Sequence, residues 1–297
     1  MPRLRPACIS FHASHLLMGL APHSGKGPRY LAVLVALALA AICPAFTQDT
    51  PLTAQEIVQR SVEANARDWN AAPQYDNMET DREPNGGTRT VSTLMIEGSP
   101  YNRLMQINGE PLPPQQQAQE QQKLDAVIAR RQQESAQERA ARIAKYQKDR
   151  ASDHALMDEL TKAFNFTLTG EETLDGHDVY ALKATPRPGY QPPSMATQVL
   201  TGMQGKLWID KKTFQWVKVT AQVIHPVSIE GFLAQVEPGT RFELEKMPVG
   251  DEIWLPSHFS MTAHARVLFL FSHNASDNER YYDYHKAEPL QASGLSK

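Results

Sequence analysis

Histidines and carboxylates are the side chains in this sequence that could do chemistry, as metal ligands or as an acid and base pair. His258 and His264 are the closest histidines sharing one face of a predicted strand, and spacing defeats them. Six residues of strand place their Cα atoms about 20 Å apart, too far for two imidazoles on one ion. His273 and His285 could approach across a hairpin between Phe271 and Tyr282, but no third ligand is fixed beside them, and they read as solvated histidines. Glu171-Glu172 and Asp251-Glu252 read as turn and strand-edge charges, although a glycosidase-like carboxylate pair can be assembled from distant strands. There is no nucleophile elbow, P-loop, dinucleotide-binding glycine fingerprint, His-Glu-x-x-His helix or Cys-x-x-Cys pair. No catalytic residue, metal or cofactor is therefore expected.

Apolar surface is the remaining resource, and strands must position it. In Phe259 to Phe271 the residues Phe259, Met261, Ala263, Ala265, Val267, Phe269 and Phe271 alternate with His258, Ser260, Thr262, His264 and Arg266. Val217, Val219, Ala221 and Val223 alternate with Lys218, Thr220 and Gln222, and Phe242 and Leu244 stand between charged neighbours. Such strands form a sheet that is wet on one face and must bury the other against a second layer. Two readings stay open for that face: an ordinary packed core, or a cavity for apolar ligands. Small residues at Ala221, Ala263 and Ala265 leave room for the second. Ten sequestered methylenes would supply a gross drive of about 8 kcal/mol, less the cost of ordering the chain.

The elements fall in a definite order. Tyr30 to Cys43 is an uninterrupted apolar run behind Lys26 and Arg29. It is too short for the bilayer core, which takes about 20 residues. It reads as the h-region of a secretory signal, residues 1–47, cleaved after Ala45 or Thr47, with Met18 as an alternative start. Ile42 disfavours lipid attachment at Cys43. Both cysteines, Cys8 and Cys43, lie in this leader, so the rest of the chain has no thiol chemistry.

One domain is expected over 48–297. Thr53-Ala54-Gln55-Glu56 is a capping box opening a helix over roughly 54–68, with Ile57, Val58, Val62 and Ala66 on one stripe. Strands follow at 74–82, 89–97 and 101–107, with Asn108-Gly109 as a turn. A helical insertion, 115–164, reads as two pieces. Leu156, Leu160 and Phe164, four apart, mark the second as the part that packs, as a lid over the open side of the sheet. Glu138 with Arg142 and Asp158 with Lys162 have the spacing of exposed helix ion pairs. The period of two then returns, with strands near 179–184, 206–209, 214–224, 241–246, 258–271 and 280–286. Pro186, Pro188, Pro192 and Pro193 predict a stiff extended loop among them. The fold class expected is α+β: a large curved antiparallel sheet, an incomplete barrel, with helices over its concave face.

The composition agrees with a folded protein: 297 residues, 41% hydrophobic, 21% charged, mean hydropathy −0.46. Residues 1–47 hold four basic and no acidic residues, so the remainder carries 26 basic against 33 acidic, a net of −7. That balance repels a phosphate backbone, and no nucleic-acid partner is expected.

This order of elements, with Gly98-Ser99-Pro100-Tyr101-Asn102-Arg103-Leu104 in the meander and Gly205-Lys206-Leu207-Trp208-Ile209-Asp210 opening the later sheet before Trp216-Val217-Lys218-Val219, resembles the periplasmic lipoprotein-carrier superfamily of LolA, LolB and RseB type. It is most similar to the larger outer-membrane lipoprotein-sorting proteins, over roughly 52–287. The resemblance implies an incomplete barrel whose apolar side takes up the acyl chain of a lipid or lipoprotein, in the periplasm and without catalysis. The lining it implies is Val217, Val219, Phe242, Leu244, Phe259, Met261, Val267, Phe269 and Phe271. The alternative it leaves is an envelope-stress sensor of RseB type that contacts a membrane-associated protein partner. The charged insertion over 115–155 is longer than a compact carrier needs.

Overall fold

The computed structural model describes residues 51–83, 86–229, 234–250, 253–267 and 271–291, with backbone only at 152–153, 155–156, 196, 267 and 271–273. The expected leader of residues 1–47 with both cysteines, and Asp251, Glu252 and Phe269, lie outside the described residues. Helix α1 (Ala54–Ala71) starts at the capping box: the Glu56 amide donates to Thr53 Oγ1 at 3.2 Å and the Thr53 amide to Glu56 Oε2 at 2.8 Å. The meander β1 (Tyr75–Arg82), β2 (Thr88–Ile96), β3 (Ser99–Ile107) follows, then a short β4 (Glu110–Pro111). The turn before β4 is made by Asn108 and Gly109, both at positive φ, 54° and 78°.

The insertion is two helices, α2 (Pro114–Gln133) and α3 (Ala136–Ala163). They are separated where Ser135 and Glu138 form a second capping box. Two expected ion pairs are not made. Glu138 is used by the cap, so Arg142 bonds Glu134 instead, and Lys162 pairs with Glu159 while Asp158 meets His154. Capping competes for the carboxylate that the i, i+4 spacing offered.

The remaining strands are β5 (Phe164–Leu174), β6 (His177–Pro186), β7 (Met203–Asp210), β8 (Trp216–Val223), β9 (Val227–Ile229), β10 (Ala234–Val236), β11 (Arg241–Val249), β12 (Ile253–Val267) and β13 (Phe271–Lys286), with a single-turn helix α4 (Met195–Gln198) before β7. Strand β5 was not foreseen. It is an edge strand whose residues 167–173 are all exposed, so it lacks the half-buried alternation that marks a strand.

Among the described residues these thirteen strands form one antiparallel sheet in the order β4-β3-β2-β1-β13-β12-β11-β8-β7-β6-β5, with β10 on β12 and β9 on β10. The sheet does not close, so the fold is α+β with an open, barrel-like sheet. Its seam is β1 against β13, which joins the N-terminal meander to everything after the insertion.

Directly paired residues share a face. One such row runs Leu182, Leu207, Val219, Leu244, Phe259 across β6, β7, β8, β11 and β12. Helix α1 packs on this face through Ile57 and Val58, and α3 adds Met157, Leu160 and Ala163. Trp216, Leu182 and Ile209 are buried below them. The first half of the insertion, whose packing its sequence leaves undecided, also packs, but on the other face: Leu124 and Ile128 of α2 meet Leu94 and Ile96, which are out of step with the Arg89 and Val91 positions of the α1 side. The two insertion helices thus pass around the β2–β3 hairpin end.

Arg131 fixes that passage. It is 6% exposed and donates to the carbonyls of Ile96 (2.8 Å), Ser99 (2.7 Å) and Pro100 (3.0 Å). Arg142 adds bonds to Ser99 Oγ at 2.7 Å and the Glu97 carbonyl at 3.1 Å.

Candidate functional site

The apolar face changes character along the sheet, and the change defines the candidate site. Val219, in the middle of the row, is 5% exposed and belongs to the core under α1. Phe242 and Leu244 are half-buried at the edge of that core. Phe259 and Met261 on β12 are half-buried and belong to none of the core clusters, and Ala263 and Ala265 continue their line at the same intermediate exposure. Helix α1 reaches β12, whose Ile253, Trp254 and Leu255 are buried, yet from Phe259 to Ala265 the same strand carries a half-exposed strip of aromatic and aliphatic surface beside a packed core.

Beyond β12 the same rows turn acidic. Phe259 pairs with Glu279, and Glu279 with Asp81; Met261 pairs with Asp277. Glu79 joins them two residues along β1, opposite Tyr281, whose hydroxyl donates to Glu279. Burial raises the Glu79 carboxyl above its ordinary value, the Glu279 and Asp81 charges add to this, and Arg89 opposes it. Burial also pushes the Tyr281 and Tyr284 hydroxyls up, the first helped by its bond to Glu279. Asp81 Oδ1 is buried without a hydrogen-bond partner among the described residues. The strip is therefore bounded by an oily core on one side and by carboxylates and phenols on the other.

The other residues of the implied lining separate. Val217 falls on neither side of this strip: at a register shift opposite Trp208 and Ile209 it leaves the Val219 row and packs with Val179 and Trp254. A bulge puts two residues of β8 where strict alternation expects one. Val267 and Phe271 are paired in the β12–β13 ladder, with their side chains outside the description, as is all of Phe269. Of the expected lid, Leu160 packs against the core and Phe164 is 4% exposed as the first residue of β5; the Leu156 side chain is not described. The proline-rich loop fastens this end, since Arg187 donates to the carbonyls of Thr161 and Phe164 and the Tyr190 hydroxyl to Glu159 at 2.9 Å.

Among the described residues the polar face holds one group that could accept a cation, Glu243, Glu245 and His258, brought together by the β11–β12 register. Lys218 already fills it, donating to both carboxylates at 2.8 Å. Burial pulls the Lys218 ammonium down, but those two bonds outweigh it and hold it above its ordinary value. His264 Nδ1 and Asn274 Oδ1 are hydrogen-bonded at 2.9 Å. His273 and His285 do not face each other across a hairpin: both lie on β13, twelve residues apart, with His285 beside Asp76.

Sequence reasoning missed the acidic boundary and the Glu243, Glu245, His258 group because each is assembled across strands. The alternation of Glu243 and Glu245 in 241–246 was the only local signal. It also missed the anchor beneath α1, where Trp216 donates to Ser61 Oγ at 3.1 Å and Gln215 to Asp68 at 3.0 Å.

No family model matches this chain, and no curated protein matches it. Solved structures similar to it include a LolA superfamily protein from Nitrosomonas europaea, at 14% identity over 83% of this chain and 99% of that one, with a TM-score of 0.29. A putative outer membrane lipoprotein-sorting protein domain from Vibrio parahaemolyticus follows at 11% identity, 81% and 95% coverage and a TM-score of 0.28. The MucA/MucB complex of Pseudomonas aeruginosa matches at 12% identity, 79% and 99% coverage and a TM-score of 0.25. The chain is thus similar to LolA superfamily, lipoprotein-sorting and MucB structures over most of its length, at low identity and low TM-score.

Proposed function

We propose that this protein is a non-enzymatic, periplasmic binding protein that holds the acyl chain of a lipid or lipoprotein on the strip formed by Phe242, Leu244, Phe259 and Met261. The observation that supports this is the continuation of the apolar rows past the core: a sheet face that stays half-exposed at two large apolar residues has surface left to bury. An acyl chain laid there gains about 0.8 kcal/mol per methylene removed from water. The core under α1 is closely packed, so the chain lies beside it, on the β11–β12 side, and not beneath the helix. The leader of residues 1–47 would send the protein to the periplasm.

Native mass spectrometry of protein purified from gently lysed cells tests this. Lipid adducts on the wild type, lost from a Phe259→Ser/Met261→Ser variant that still folds and whose melting temperature falls by only a few degrees, are expected. Unliganded wild-type protein throughout, together with no binding of a fluorescent fatty acid, would overturn the reading.

A further inference from the structure

A recess of about 770 Å³ opens on the polar face of the sheet, and its lining includes three exposed cations, Lys183, Lys206 and Arg241. Lys183 and Lys206 are direct cross-strand partners on β6 and β7, the next residue in that row is Thr220, and Arg241 stands beside Gln222. Like charges placed opposite each other destabilise a sheet. By contrast, Lys218 holds Glu243 and Glu245, and Lys211 holds Glu171. Lys183, Lys206 and Arg241 form no ion pair among the described residues. The one carboxylate at the recess, Glu243, is already bound to Lys218. A chain that carries a net −7 beyond its leader has thus placed three uncompensated cations in one hollow.

We infer that this recess is a binding site for a small ligand bearing two phosphate groups on a sugar-sized spacer. The Lys183–Lys206 pair presents two ammonium groups to one phosphate, with the Thr220 hydroxyl beside them as a further donor. Arg241 lies two strands across and two residues along from Lys206, which places their Cα atoms about 12 Å apart. Long side chains reaching inward from that separation meet a second phosphate across one ring, and the planar guanidinium suits it bidentately. Gln222 and Thr220 line the span between with neutral hydrogen-bonding groups, as sugar hydroxyls require. The ligand can be a soluble sugar phosphate or the phosphorylated headgroup of a lipid.

Two probes read the proposal: fructose 1,6-bisphosphate by titration calorimetry, and phosphatidylcholine vesicles with and without phosphatidylinositol 4-phosphate, whose headgroup carries two phosphates across one ring, by co-sedimentation. Binding of either by the wild type, weakened at least tenfold in Lys183→Gln/Lys206→Gln and weakened by added salt, supports the site. Sugar phosphate alone bound points to the soluble source, and phosphatidylinositol 4-phosphate vesicles alone to a headgroup. The double variant should melt no lower than the wild type, since it relieves a like-charge contact, so lost binding is not lost folding. Failure of the wild type to bind both probes, or equal binding by the variant, overturns the proposal. Neither result bears on the acyl strip, which lies on the opposite face.

Discussion

Lys246 Nζ lies 2.9 Å from Asp68 Oδ2, with the two side chains 9% and 3% exposed, and this pair ties α1 to β11. Asn65 accepts a second bond from the same ammonium at 2.8 Å, and Gln215 donates to the other oxygen of Asp68. Burial nonetheless drags the Lys246 ammonium below its ordinary value, with Asp68 pulling the other way. Replacing Asp68 by Ala leaves that charge buried and unpaired, so a loss of about 3 to 5 kcal/mol is expected in urea unfolding. The double variant Asp68→Leu/Lys246→Met should recover most of it; a double variant as unstable as the single would show that the pair is not what the helix loses.

Arg131 should be equally intolerant of change, for a different reason. Its planar guanidinium serves three carbonyls of the β2–β3 end at once, a geometry that an ammonium cannot copy. Arg131→Lys is expected to cost nearly as much as Arg131→Ala, about 2 to 3 kcal/mol, because the carbonyls remain buried without donors. Full rescue by lysine, measured by thermal melting, would contradict this.

The raised Glu79 carboxyl gives a pH signature. Its native state holds the proton more tightly than the unfolded chain, whose value is near 4.5. This group therefore favours folding most below that value, and the contribution is lost as pH rises through the raised native one. Glu79→Gln should gain stability over wild type at pH 7 and lose that advantage by pH 4. A stability difference between the two proteins that does not move with pH would remove Glu79 from the account.

Val219 and Phe259 sit in one row and should behave oppositely. Val219→Asp places a charge among Trp216, Leu207 and Ile57 and is expected to prevent folding. Phe259→Ser, at a half-exposed position, should shift the melting temperature by only a few degrees while lowering affinity for a fluorescent fatty acid at least fivefold. Similar losses of stability in both would make Phe259 core.

The alternation in 217–223 and 259–267 was enough to read a sheet with one apolar face, and Thr53 to Glu56 enough to start α1, because periodicity and caps are local. Local pattern fails where a register decides. The bulge at Val217 moves a valine out of its row without any change in sequence pattern, and the exposed β5 carries no alternation at all. The same holds for every cluster built from several strands. Glu279 beside Phe259, Lys183 beside Lys206, and Lys246 under Asp68 are neighbours only because hydrogen-bonded ladders bring residues 20 to nearly 200 positions apart into one row or one layer. Side-chain type and spacing thus determined which surfaces are oily and which are wet. Only the pairing of strands, and how far α1 reaches over them, decided where the oil is sealed and where it stays open.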